Sequence, residues 1–291
     1  KINKMIELVL FQISIFIFKF IPFWVLYRIS DVLAFLNYHL IGYRKKIIRQ
    51  NMQTAFPEKN KKEIDKLIYD FYKHFFDIFL ETTKGYGVKQ EKLAKRIQVE
   101  NLEFTFKLFE ENKNIIFLSG HGGNWEWASY VSPFIFKHKI NVLYKPLTNK
   151  HVDKYIIKHR QKNNTHLISM YESTKAFMGN EKPYAVVLLA DQRSIPHDKG
   201  VKVKFLNRTT YFQPGAEIFS KKYNTVVIFW WLERVKRGYY KTNLIPYTFE
   251  PQKTQREEIT KAYINFLEQK IKENPQNWLW SHNRWKYLTE I

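Results

Sequence analysis

Asn114 to Trp127 reads NIIFLSGHGGNWEW, and the order of its parts decides the fold. Ile115 to Leu118 are apolar without interruption, as in a strand covered on both faces of a sheet. His121 leaves that run and is followed by Gly122 and Gly123, which permit unusual backbone angles and close approach of a substrate. Asn124 is then placed to cap a helix carrying Trp125 and Trp127. Strand, turn and helix in that order are the repeating unit of an α/β sheet.

Working outward, the same alternation recurs. INVLYKP from 140, THLISM from 165, YAVVLLAD from 184 and TVVIFWWLERV from 225 read as strands. Between them the spacing predicts helices over Trp125–Phe136, His151–Asn163, Ser173–Met178 and Gln213–Tyr223. GYYKTNLIPY at 238–247 reads as a hairpin partner of the strand before it, and Arg256–Lys272 as the last helix. Upstream, Ile64, Leu67, Ile68, Phe71, Tyr72, Phe75, Ile78 and Phe79 recur at i, i+3, i+4, i+7 within Lys61–Thr83, the signature of an amphipathic helix. Gly85 and Gly87 mark its end, and a short helix is expected at Glu91–Lys95. The fold class is therefore α/β, with a mostly parallel central sheet flanked by helices.

The first 30 residues read differently. From Leu8 to Tyr27 only Gln12, Ser14, Lys19 and Pro22 are not apolar, and the run has the length of one membrane span. It is long for the apolar core of a signal peptide, and no small-residue cleavage site follows it. Lys19 at the bilayer centre would cost about 2.5–3.5 kcal/mol, so a helix lying in the interface competes with a tilted span. The expected organisation is an anchor helix over residues 1–30 and one α/β domain over 31–291. YRKKIIR at 43–49 would meet an anionic cytoplasmic leaflet.

Composition points the same way. With 48 Lys and Arg against 27 Asp and Glu, the net charge is +21, which selects anionic partners. The 24 Phe, 18 Tyr and 8 Trp favour a lipid interface over nucleic acid, and no nucleic-acid-binding signature is present. The chain has no cysteine, which removes thiolate nucleophiles, disulfides and cysteine metal sites.

His121 and Glu126 are the first candidates for chemistry. On a continuous helix, five residues separate two side chains by about 140°. If the chain turns at the glycines, Glu126 in the first helical turn can reach back to the imidazole, fix its tautomer and raise its basicity. Spacing alone also allows a plain surface turn.

The surrounding motifs choose between them. HGGNWE fits the H-x4-D/E motif of the glycerolipid and lipid A acyltransferases. YRKKIIRQNMQTAFP, the YKP at Tyr144–Pro146, Arg160, the ADQ at Ala190–Gln192, KFLNRTT and PQNWLWSHNRWK follow in the same order. Together they resemble the lipid A lauroyl and myristoyl acyltransferases over nearly the whole chain. Two positions depart: Lys145 stands where arginine is usual, which loses bidentate geometry, and Asn207 where glycine is common.

The resemblance implies a glycerolphosphate-acyltransferase-like fold and transfer of a fatty acyl group from acyl carrier protein to a hydroxyl of a lipid A precursor. It places the chain at the bacterial inner membrane, with the catalytic domain on the cytoplasmic side. It implies His121 as general base and Glu126 as its orienter. The backbone N–H groups around Gly122, Gly123 and Asn124 would receive the oxyanion, helped by Arg160, with Asp191 paired to Arg160. No cofactor and no metal is required. Another membrane lipid, such as an aminolipid or glycolipid, is the alternative acceptor. Rival readings are a metallohydrolase built on His121, Asp191, His197 and Asp198, for which no metal-ligand spacing exists, and a binding module without catalysis.

Overall fold

A computed structural model describes residues 2–161, 165–178, 183–192 and 200–286. His197, Asp198 and Asn163 lie outside the described residues. The chain opens with α1 (Ile2–Phe20), α2 (Phe23–Leu36), α3 (Lys45–Ala55), α4 (Lys61–Gly85) and α5 (Gln90–Ala94). β1 (Ile97–Glu100) and α6 (Glu103–Glu110) lead to β2 (Ile115–Ser119) and α7 (Trp125–Val131). Then come β3 (Lys139–Tyr144), α8 (Lys150–Arg160), β4 (Thr165–Ser169), β5 (Tyr184–Leu189), the hairpin β6 (Val201–Phe205) and β7 (Arg208–Phe212), and α9 (Gly215–Tyr223). β8 (Val226–Trp230), β9 (Glu233–Lys236), β10 (Tyr239–Asn243), β11 (Ile245–Thr248) and α10 (Glu258–Glu273) complete it.

The main sheet has the order β11-β8-β2-β5-β3-β4. All its pairings are parallel except that of β11 with β8, so the expected α/β architecture is present. Alternate residues of the central strands feed two cores. Ile116, Leu118, Val186, Val227 and Phe229 meet α4 and α10 on one face. Ile115, Phe117, Ala185, Val187, Ile228 and Trp230 meet Trp127 and Val131 of α7 on the other. Strands buried on both sides are why these runs are continuously apolar.

The amphipathic helix expected at 61–83 is α4, opened by a capping box between Asn60 and Glu63. Its buried stripe contains Ile64, Ile68, Phe71, Tyr72 and Ile78, and it carries the buried polar residues Asp77, Glu81 and Lys84 as well.

Three expectations need correction. TVVIFWWLERV is not one strand, since β8 ends at Trp230 and β9 begins at Glu233. β10 is the antiparallel hairpin partner of β9, as expected, but it lies with β1 in a separate sheet, while β11 pairs antiparallel with β8, so GYYKTNLIPY serves two sheets. The segment at 173–178 is part of a 3₁₀ helix, Met170–Phe177.

A fourth correction concerns the anchor. The apolar run breaks between Phe20 and Phe23, because Pro22 has no N–H and its ring clashes with the carbonyl four residues earlier. Lys84 donates to the carbonyl oxygens of Phe18, Lys19 and Ile21, capping α1 where the chain turns. Among the described residues no helix is long and apolar enough to cross a membrane. Leu8, Phe11, Ile15 and Phe18 form the less exposed stripe of α1, while Val9, Leu10, Ile13, Phe16, Ile17 and Phe20 stay exposed. The boundary expected at residue 30 falls within α2, which packs along α4.

Asn207 accounts for itself. Leu206 and Asn207 make the β6–β7 turn with φ of 49° and 63°, a left-handed conformation that favours glycine and that asparagine tolerates better than other side chains.

Candidate active site

β2 and β5 are parallel neighbours with Ser119 opposite Leu189. Two residues beyond each strand end stand His121 and Asp191, so the register itself brings them together. His121 Nδ1 lies 2.6 Å from Asp191 Oδ1, and the His121 backbone N–H donates to Oδ2 at 2.7 Å. The Trp278 indole N–H donates to the same Oδ2 at 2.7 Å. The site therefore lies at the carboxyl ends of the strands, the ligand-binding edge of a parallel sheet.

Asp191 is 1% exposed. Burial pushes its carboxyl up, but the His121 charge and the hydrogen bonds from His121 and Trp278 outweigh it, leaving it lowered to about 2. An ionised Asp191 must receive a proton-bearing Nδ1, so the neutral ring carries its lone pair on Nε2. Gln192 Nε2 lies 2.9 Å from that nitrogen and donates to it. The Trp125 ring packs edge-to-face with the imidazole, with centroids 5.2 Å apart and planes 68° apart.

The expected pairings are exchanged. Glu126 forms its ion pair with Arg160 at the end of α8, and among the described residues no hydrogen bond joins Glu126 to His121. Both imidazole nitrogens are already occupied, by Asp191 and by Gln192. Arg160 thus pairs with Glu126 rather than Asp191. The pair is partly open, with side-chain exposures of 12% for Arg160 and 29% for Glu126.

The glycines serve the chain's own packing. A Cβ on Gly122 would lie 2.2 Å from the Trp231 ring, and one on Gly123, whose φ is +56°, would lie 2.3 Å from the Leu232 carbonyl oxygen. They let the loop close onto the exit of β8 rather than onto a substrate. Their N–H groups are engaged as well: Gly122 donates to the Gly120 carbonyl at 2.9 Å and Gly123 to the Asn277 carbonyl at 3.2 Å. Two of the three oxyanion donors expected there, the Gly122 and Gly123 N–H groups, are thus committed to protein acceptors.

Asn124 does cap α7, its side-chain oxygen accepting from the Trp127 N–H at 2.9 Å. Its amide nitrogen donates to Glu81 Oε2 at 2.7 Å. Glu81 is fully buried and also accepts from Tyr240 at 2.6 Å and Tyr27 at 2.8 Å. Its main-chain carbonyl takes the Trp127 indole N–H at 3.0 Å. One carboxylate thus ties α2, α4, β10 and the active-site loop together. Burial raises its pKa, and the donors from Tyr240, Asn124 and Tyr27 oppose that rise.

Beside His121 a small pocket opens between α7 and the sheet. It is lined by Gly122, Trp125, Ala128, Val187, Leu189, Trp230 and Leu232, with Ser119 and Ser129. Its walls are almost wholly apolar. No group of His, Asp and Glu able to hold a metal ion exists among the described residues.

Sequence reasoning missed Glu81, Trp278 and the contact of Gln192 with His121. Nothing local marks Trp278 as an indole that donates to a carboxylate distant in the chain. Glu81 sits within the apolar stripe of an amphipathic helix, and a carboxylate on that buried side was the available signal.

No curated protein matches the chain. The family model described as bacterial lipid A biosynthesis acyltransferase matches residues 3–287, nearly the whole length, and the chain therefore belongs to that acyltransferase family.

Proposed function

We propose that the protein transfers a fatty acyl group from the thioester of acyl carrier protein to a hydroxyl of a lipid A precursor, with His121 as general base. The carrying observation is the His121–Asp191 pair at the strand ends, beside an apolar pocket. Asp191 holds the Nδ1–H, which leaves Nε2 to take the proton of the acceptor hydroxyl. The hydroxyl oxygen attacks the thioester carbonyl carbon, and the carbonyl π pair moves onto its oxygen. Collapse restores the carbonyl and breaks the C–S bond, and the departing sulfur takes the proton back from the imidazolium. No acyl-enzyme forms, in keeping with a chain that has no cysteine.

Glu126 enters this reading as the partner that fixes Arg160 at the mouth of the site. With it, Arg160 and the exposed Lys145 supply positive charge for an acceptor bearing phosphates. The +21 charge suits an acidic carrier protein and an anionic leaflet.

The site of action is the cytoplasmic side of the inner membrane. The exposed face of α1, together with Trp24, Val32 and Phe35 on α2, would lie in the interface plane rather than span the bilayer. Leu10→Asp with Phe16→Asp should abolish binding to vesicles containing phosphatidylglycerol. Unchanged vesicle binding would overturn this placement.

Mass spectrometry of lipids from a strain lacking the protein tests the whole reading. Loss of one acyl group from lipid A, restored by wild type but not by His121→Ala, is expected. Intact lipid A with an altered aminolipid or glycolipid would replace the acceptor.

A further inference from the structure

An acyl transfer of this kind develops negative charge on the thioester carbonyl oxygen, and donors must be waiting for it. Most of the obvious ones are already engaged. The Gly122 and Gly123 N–H groups donate to Gly120 and Asn277, and Arg160 is paired with Glu126. One donor stands directly at the reacting nitrogen, the Gln192 carboxamide 2.9 Å from His121 Nε2.

We propose that Gln192 is a catalytic residue, whose side-chain N–H leaves Nε2 as the acceptor hydroxyl takes that place and donates to the thioester oxygen as it becomes negative. The inference rests on the reading of His121 as base.

Three observations and one geometric consequence support it. First, the Nδ1–H held by Asp191 leaves a lone pair on Nε2, so it is the amide nitrogen of Gln192, with its hydrogens, that faces the reaction centre. Second, a hydroxyl replacing the amide on Nε2 sits within hydrogen-bond reach of the same side chain, and the carbonyl it attacks lies one bond beyond. Third, the backbone of Gln192 is fixed while its side chain is exposed. Its carbonyl accepts from Arg284 at 2.8 Å, and Arg284, which is 2% exposed, also donates to the Tyr211 carbonyl at 3.0 Å. Fourth, the preceding residue is Asp191 itself, so the element that orients the base also carries the donor. An amide that only covered Nε2 would slow the reaction by competing with the acceptor, whereas one that moves to the oxyanion speeds it. The two roles predict opposite signs for its removal.

The test is steady-state acyl transfer by the full-length protein, from a fatty acyl thioester of acyl carrier protein to a lipid A precursor. Gln192→Ala and Gln192→Glu are measured beside wild type and His121→Ala. Glutamate keeps the shape and cannot donate. Both Gln192 variants are expected to lose about 10²–10³-fold in kcat, with KM for the thioester within about threefold of wild type. Because the side chain is exposed and its backbone contact to Arg284 is untouched, their thermal midpoints should match wild type. A Gln192→Ala enzyme as fast as wild type or faster, a loss confined to KM, or a Gln192→Glu enzyme that keeps its rate would overturn the proposal. Activity surviving in His121→Ala would instead sink the underlying reading, so the two failures are distinguishable.

Discussion

Two carboxylates flank the loop from His121 to Asn124, and they are held in opposite ways. Asp191 is buried and accepts from an imidazole, a backbone N–H and an indole. Glu126 is partly exposed and faces a single flexible guanidinium. The first arrangement allows the imidazole one orientation and one tautomer. The second can open to admit an anionic group without disturbing the core. The nearer carboxylate in sequence is thus suited to contact with substrate, and the distant one to holding the imidazole.

The sharpest way to break this comparison is Asp191→Asn. The amide would present a donor to Nδ1 and move the ring proton onto Nε2, where no proton can then be accepted. A loss of about 10⁴-fold in kcat is expected, equivalent to about 5.5 kcal/mol, with KM little changed, read from initial rates. A loss below tenfold would mean that Asp191 does not orient the base.

Glu81 lies beneath the other side of the loop. Its removal by Glu81→Ala would strand the Asn124 amide and the Tyr27 and Tyr240 hydroxyls, each buried donor costing about 1–3 kcal/mol. A total loss of about 3–5 kcal/mol of stability is expected in denaturant unfolding. Glu81→Gln should cost far less, since its N–H can donate to the Tyr27 oxygen while its carbonyl still accepts from Asn124 and Tyr240. Equal losses in the two variants would show that the charge itself, not the accepting geometry, is what the loop needs.

Glu126→Gln tests the open pair. Leaving Arg160 without its partner in a partly open place costs less than in a fully buried one, and a decrease of about 10²-fold in kcat/KM is expected. A loss equal to that of Asp191→Asn would return the orienting role to Glu126 during turnover, as the H-x4-E spacing suggested.

How much of this could be read beforehand follows from what each feature depends on. The run IIFLS, the parallel sheet, α4 and the N-cap at Asn124 depend on local pattern, and they were legible. The His121–Asp191 pair depends on β2 and β5 being neighbours in register, although β3 and β4 come between them in the chain. No local signal carries that. The glycines were legible as a tight place, but what presses on them, Trp231 and Leu232, comes from the chain just past β8. The broken anchor was readable: Pro22 inside a helical run is a stop signal, outweighed in the sequence by the sheer apolarity around it. Lys84, which caps α1 there, was hidden because its role lies between helices distant in the chain.

The smallest effect separates the two carboxylates by acid. Asp191 titrates at about 2 against an ordinary 3.8, so its folded form holds its proton less tightly than the unfolded chain does. Such a group contributes stability above its ordinary range, and that contribution is lost as pH falls from about 4 to about 2. The difference amounts to about 2 kcal/mol. Asp191→Asn has no such contribution to lose, so the stability gap between wild type and the variant should narrow by about that much between pH 5 and pH 2, measured by denaturant midpoints. A gap constant over this interval would mean that Asp191 gains nothing from its charged contacts. Its hold on the imidazole would then rest on geometry alone.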